Sequence, residues 1–494
     1  MNKIINKIKE KDDFIIFFMI FCISVGIVLN LDIVATDETW NFQSVYKMYN
    51  GYEIYKEFNV IITPLFFWCT ELIFHIFGAN LTIFRLSHSI LMAIYYLIIY
   101  KLLKKLEIPK TISLLMTLGI ITLGLLEPIS FPLIRTGFNY NQMAMLFVIL
   151  GVYLLTSKRF QKNYILQAIL TVLAFLTKQT VGIYYIIANI IYLIVSDNSK
   201  EEKIKKGIQY IILTILGILL FLLVLFYNDI LYDFLNYTFG GILEFADKNV
   251  AFEMKSLACL LAVTMLNIIT SILIIKKKCF TEQQEENIKR LLIFSIIFAF
   301  LAYPIFNQFH VMLVISFSEI NLIYIIYNLF KDFKEKMCKV VKIINIVCII
   351  GLIAYSGYNF LEWKNTIESS EYLYSWEDPF FGGLITKEEY EKNETVIQYI
   401  RDNEKNVIIL SDKAALYMVP LQRNNGDFDL PLKGNFGSQG EDGLIAKINN
   451  MENTQFLIYN GDEEVVYQEV ERTKEYIKDT MKYVGKIDDF DIYE

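Results

Sequence analysis

The sequence contains no Cys-x-x-Cys pair, no Gly-x-Gly-x-x-Gly or P-loop run, and no stretch with metal-ligand spacing. These absences exclude a zinc-ribbon framework and leave no cradle for a nucleotide. The cysteines, Cys22, Cys69, Cys259, Cys279, Cys338 and Cys348, all precede residue 360, so the hydrophilic tail beyond them folds without a disulfide. Charge is scarce as well. Before residue 360 lie runs of about 17–22 residues with few charged side chains, the length of a transmembrane helix. The chain of 494 residues is 55% hydrophobic and 15% aromatic, with a mean hydropathy of +0.41. Soluble domains are only about 45–50% apolar. The expected class is a polytopic α-helical membrane protein.

What charge there is divides sharply. Residues 361–494 hold 14 Lys and Arg against 28 Asp and Glu, whereas the whole chain is only −7. Residues 1–360 are therefore net basic and the tail strongly acidic, a balance that argues against nucleic acid as a partner. Basic loops on the cytoplasmic side explain the first half without a ligand. Two domains are expected, 1–360 in the membrane and 361–494 outside it.

Lys3, Lys7, Lys9 and Lys11 precede the first apolar run, at 14–31. The positive-inside rule makes the N-terminus cytoplasmic and the loop that follows external. With no small-residue cleavage site, that run reads as a retained helix. If 63–77 crossed the membrane, Lys101, Lys104 and Lys105 would fall outside. Segments 38–49 and 64–77 are therefore expected as interfacial helices in the first outer loop. Further spans are expected near 82–100, 110–126, 140–156, 163–177, 181–196, 208–226, 256–275, 290–306, 310–330 and 340–358. About eleven spans result, with the C-terminus outside. In the tail, helices are expected at 389–403, 412–418 and 464–480 and strands at 407–411, 456–459 and twice within 483–493. This alternation suggests a small α/β domain.

Six residues from five separate regions fall on the outer face of this topology. Asp37 and Glu38 stand side by side after the first span. A carboxylate there is either a partly desolvated base for a hydroxyl or a hydrated helix cap. Lys178, in Leu176-Thr177-Lys178-Gln179, lies outside against the positive-inside rule. It either meets a departing phosphate or snorkels to headgroups. Arg85 and Arg135 could clamp phosphate or face headgroups, and His310 could bond phosphate, sugar or backbone. His75 and His88 sit in apolar surroundings and read as structural. In the tail, the run Asn425-Gly426-Asp427-Phe428-Asp429 fits either a cation site or a plain turn.

Taken in order, Asp37-Glu38, Pro64-Leu65-Phe66-Phe67-Trp68 through Phe77-Gly78, Arg85-Leu86, Leu176-Thr177-Lys178-Gln179 and Pro304 to His310 resemble the GT-C membrane glycosyltransferases of the protein-mannosyltransferase and aminoarabinose-transferase type. The resemblance covers the layout of residues 1–360. It implies transfer of a sugar from a polyprenyl-phosphate donor to a protein, lipid or cell-envelope acceptor at the outer face of the plasma membrane, usually with inversion. Asp37 would be the base and Glu38 its support. Lys178, with Arg85, His310, Arg135 and Gln179, would meet the donor phosphate. No cofactor is required, and a divalent cation is left open. The chain departs from the pattern at Asn139-Tyr140-Asn141 and at Asn307, where relatives often carry an acid. Two other readings stand beside this one. A lipid or polysaccharide flippase would place its ionisable groups near mid-membrane. A membrane scaffold would work through its acidic tail.

Overall fold

The computed structural model describes residues 2–30, 36–125, 140–156, 164–196, 199–241, 243, 251–329, 334–369, 372–373, 385–429, 434–460 and 470–494. A helix forms at every apolar run singled out above. They are α1 (Asn2–Val28), α2 (Thr36–Tyr49), α3 (Leu65–Phe77), α4 (Leu81–Lys105), α5 (Lys110–Leu125), α6 (Tyr140–Leu155), α7 (Tyr164–Thr177), α8 (Gln179–Val195) and α9 (Lys200–Tyr227). After a short α10 (Leu231–Leu235) and a π-helical segment (Asn236–Gly241) come α11 (Met254–Lys277), α12 (Glu282–Ala299), α13 (Gln308–Leu329) and α14 (Lys334–Glu368).

Among the described residues, α4, α9, α11, α13 and α14 contain stretches long and apolar enough to cross a membrane, and α1, α3, α5, α6, α7 and α8 contain shorter apolar ones. The protein is a multi-pass membrane protein. The run expected at 290–306 is helical only to Ala299, followed by a 3-10 turn at Phe300–Ala302. Pro304 offers no N–H and cannot continue a helix. In α4 the apolar window is 72% buried, against 22% in α9, α11 and α14. Helix α4 is thus central, packed on α1, α5 and α6, and the other three turn their apolar surface outward.

Helix α14 runs past residue 360 without a break. Beyond it a four-stranded sheet forms from β1 (Asn406–Leu410), β2 (Thr454–Tyr459), β3 (Tyr483–Ile487) and β4 (Phe490–Tyr493), in the order β1-β2-β4-β3. β1 and β2 run parallel, with Ile408 opposite Phe456, and β4 is antiparallel to both β2 and β3. Side chains alternate across a strand, and here the two faces feed different cores. Val407, Ile409 and Leu457 pack with α15 (Lys387–Asp402) and α16 (Ala414–Met418). Ile408, Leu410, Phe456 and Ile458 pack with α17 (Gly440–Asn449) and α18 (Glu471–Thr480). Helix α17 was not anticipated, because its Gly-Glu-Asp-Gly start reads as a turn.

Candidate active site

Helix α3 closes on Gly78, whose φ of +99° suits a residue without a side chain. Asn80 then caps α4, its side chain accepting from the Ile83 amide at 2.9 Å. That start puts Arg85 on the second turn of α4, fully buried. Arg85 Nε donates to Glu38 Oε1 at 2.9 Å and Nη2 to Glu38 Oε2 at 2.8 Å. The planar guanidinium fork matches a carboxylate in this way. Both side chains are at most 1% exposed, so neither charge could remain buried without the other. Arg85 was expected against phosphate. The structure sets its fork on Glu38 instead.

Lys178 sits where α7 stops and α8 begins. Its backbone is extended (φ −153°, ψ 112°), which breaks the helix. A Cβ on Gly182, one turn into α8, would lie 2.4 Å from Phe175 Cα. Only glycine lets the two helices approach so closely. The Lys178 ammonium donates to Asn141 Oδ1 at 2.6 Å and lies 5.4 Å from the centre of the Tyr140 ring. The residues that depart from the family pattern thus frame this lysine. The His310 amide donates to Asn307 Oδ1 at 3.0 Å, and its Nδ1 lies 2.7 Å from the same oxygen. Asn307 therefore anchors the start of α13 and orients the imidazole.

Aromatic rings join the Glu38–Arg85 pair to Lys178. Phe42 packs edge-on to Phe84 at 5.7 Å, Phe84 to Phe66 at 6.4 Å, and Phe66 to Tyr140 at 6.4 Å. A continuous run of ring contacts thus leads from the helices of the Glu38–Arg85 pair to Lys178. Gln179 behaves differently. Its amide donates to the carbonyls of Ile61 at 2.9 Å and Thr238 at 3.2 Å, tying α8 to the loop before α3 and to the π-helical segment. It was expected at the phosphate, but its donors are spent on backbone. Asp37 opens α2, and its side chain lies outside the described residues, as does Arg135.

The tail meets this same end. Asp429 accepts from Gln43 Nε2 at 2.8 Å and pairs with Lys47, both on α2. Asp427 pairs with Lys447 and accepts from the Tyr237 hydroxyl at 3.2 Å. Burial works to lower the Lys447 ammonium, but Asp427 and Tyr237 outweigh it and hold it above the usual lysine value. Burial, reinforced by Asp427, pushes the Tyr237 hydroxyl up to about 12, so it remains a neutral donor. Gly437, at φ +71°, passes so close to Asn236 that a Cβ would lie 2.5 Å from its Nδ2. Both carboxylates of the Asp427–Asp429 run face lysines, Asp429 towards Lys47 and Asp427 towards Lys447.

Residues 62–227 match the dolichyl-phosphate-mannose-protein mannosyltransferase family. No curated protein sequence matches the chain. Among solved structures, ArnT from Cupriavidus metallidurans in the apo state is similar at 10% identity and a TM-score of 0.56, covering 98% of each chain. The same protein bound to undecaprenyl phosphate is similar at 10% identity and a TM-score of 0.54, covering 97% of each. The chain shares its fold with ArnT.

Proposed function

We propose that this membrane protein of the GT-C glycosyltransferase class moves a sugar from a polyprenyl-phosphate donor to a hydroxyl acceptor at the outer face of the membrane. One observation carries the reading. The carboxylate-bearing start of α2 is held by Arg85 and linked by a wall of aromatic rings to a lysine at the break between α7 and α8. The ArnT structure with undecaprenyl phosphate supports a lipid-phosphate donor.

In this scheme Asp37 takes the proton from the acceptor hydroxyl as its oxygen attacks the anomeric carbon. The bond from that carbon to the phosphate oxygen breaks, and its electron pair leaves with the lipid phosphate. Lys178, assisted by His310, offsets the charge that develops there. Glu38, gripped by Arg85, keeps the helix start oriented beside Asp37. Attack opposite the leaving phosphate inverts the anomeric centre. The fold likeness favours this chemistry over transport without a covalent step.

The test is to incubate purified protein with a panel of polyprenyl-phosphate sugars and follow transfer or hydrolysis by mass spectrometry. One donor should be consumed, and Asp37→Asn should abolish that reaction while leaving the protein folded. Undiminished turnover by Asp37→Asn would remove Asp37 as the base.

A further inference from the structure

Helix α2 has only 14 residues. A helix this short is marginal alone and takes its position from its contacts. Two buried ionic contacts hold it. Arg85 of α4 grips Glu38, and Asp429 of the tail grips Gln43 and Lys47. At roughly 100° per residue, Gln43 and Lys47 point away from Glu38 by about 140° and 180°. The two contacts therefore take opposite sides of the helix. Lys47 and Asp429 are 3% and 6% exposed, so removing either leaves an unmatched buried charge. Neighbouring contacts bring the tail to the same place. Asn59 donates to the Asn435 carbonyl, Asn424 to that of Glu57, and the Ser438 hydroxyl to Asn236.

We infer that Asp429 is a positioning residue for the transfer: through Lys47 and Gln43 it fixes α2, and with it Asp37 and Glu38, from the side opposite Arg85. The inference rests on the reading that α2 carries the carboxylates of the reaction. It makes the tail a working part of the active site. A base displaced by about 1 Å loses on the order of 10²-fold in rate, so the effect belongs in kcat. Donor affinity, which the proposal assigns to Lys178, should stay as it was.

The test uses the full-length protein and Asp429→Asn. Hydrogen exchange of the amides at 39–49 should become about tenfold faster or more. With the donor that turns over in the panel, kcat should fall about 10–100-fold and KM should change less than about twofold. Lys47→Met combined with Asp429→Leu replaces the buried pair by apolar contact, an exchange that is often neutral for stability. It should restore the slow exchange and most of kcat. Asp442→Asn, in the exposed Arg472–Asp442 pair of the tail, should change neither. If Asp429→Asn does not fold, Gln43→Met removes only the uncharged contact and is read by the same measurements. Unchanged exchange at 39–49 would overturn the inference whatever the donor, as would lost turnover with that exchange intact. Inactive Asp37→Asn beside fully active Asp429→Asn would sink this inference alone, whereas active Asp37→Asn would sink the transfer mechanism it rests on.

Discussion

Arg85 and Glu38 meet through two parallel N–H···O bonds of 2.9 and 2.8 Å, with neither side chain reaching solvent. Lysine is not an adequate substitute at a two-pronged contact of this kind. Arg85→Lys should lower turnover by about tenfold or more, since one prong is lost and Glu38 is free to swing. Arg85→Met strands the carboxylate and should cost about 3–5 kcal/mol of stability. Turnover and thermal unfolding in detergent check the two outcomes.

Lys178→Met should weaken binding of undecaprenyl phosphate. A hydrogen bond to a charged group contributes about 1.5–3 kcal/mol, so the expected loss is about 10–150-fold in affinity. Lys178→Arg should retain part of it. Binding to the purified protein is the measurement, and an unaltered affinity in Lys178→Met would assign the phosphate to another cation.

Gln179→Leu separates support from chemistry. The substitution leaves the Ile61 and Thr238 carbonyls without their donor, at about 1–3 kcal/mol for each buried group. A lower unfolding temperature with an unchanged KM for donor is expected.

Gly182→Ala should be more damaging than its size suggests. The new methyl would meet the backbone of Phe175, which cannot turn aside as a side-chain tip can. Overpacking of this kind costs about 1–3 kcal/mol. It should also disturb the break that presents Lys178, so thermal stability and undecaprenyl phosphate binding should fall together.

The helices were legible because an apolar run of membrane length has few alternatives, and α2 and α3 form over the segments expected at 38–49 and 64–77. Pairings across the chain were not legible. Glu38 and Arg85 each invited a reading by residue type, as support for a base and as a phosphate clamp. Nothing in the spacing of 47 residues reveals that they satisfy each other. Gln179 misled for a related reason: beside a lysine it resembled a second ligand, while its partners are backbone carbonyls that carry no sequence signal. Lys47 offered a clue. A lysine in a helix whose other side chains are aromatic or uncharged over its last turns needs a carboxylate if it is buried, but its partner Asp429 lies 382 residues away along the chain.

Helix α14 carries 35 residues from the cluster of lysines at 334–342 to Glu368. At 1.5 Å per residue it is a rod of about 50 Å, against a hydrocarbon layer of about 30 Å. Roughly two-fifths of its length therefore stands clear of the hydrocarbon layer. A change in its tilt, as a thinner bilayer would impose, would carry with it the strand at Tyr372–Leu373 that packs against it.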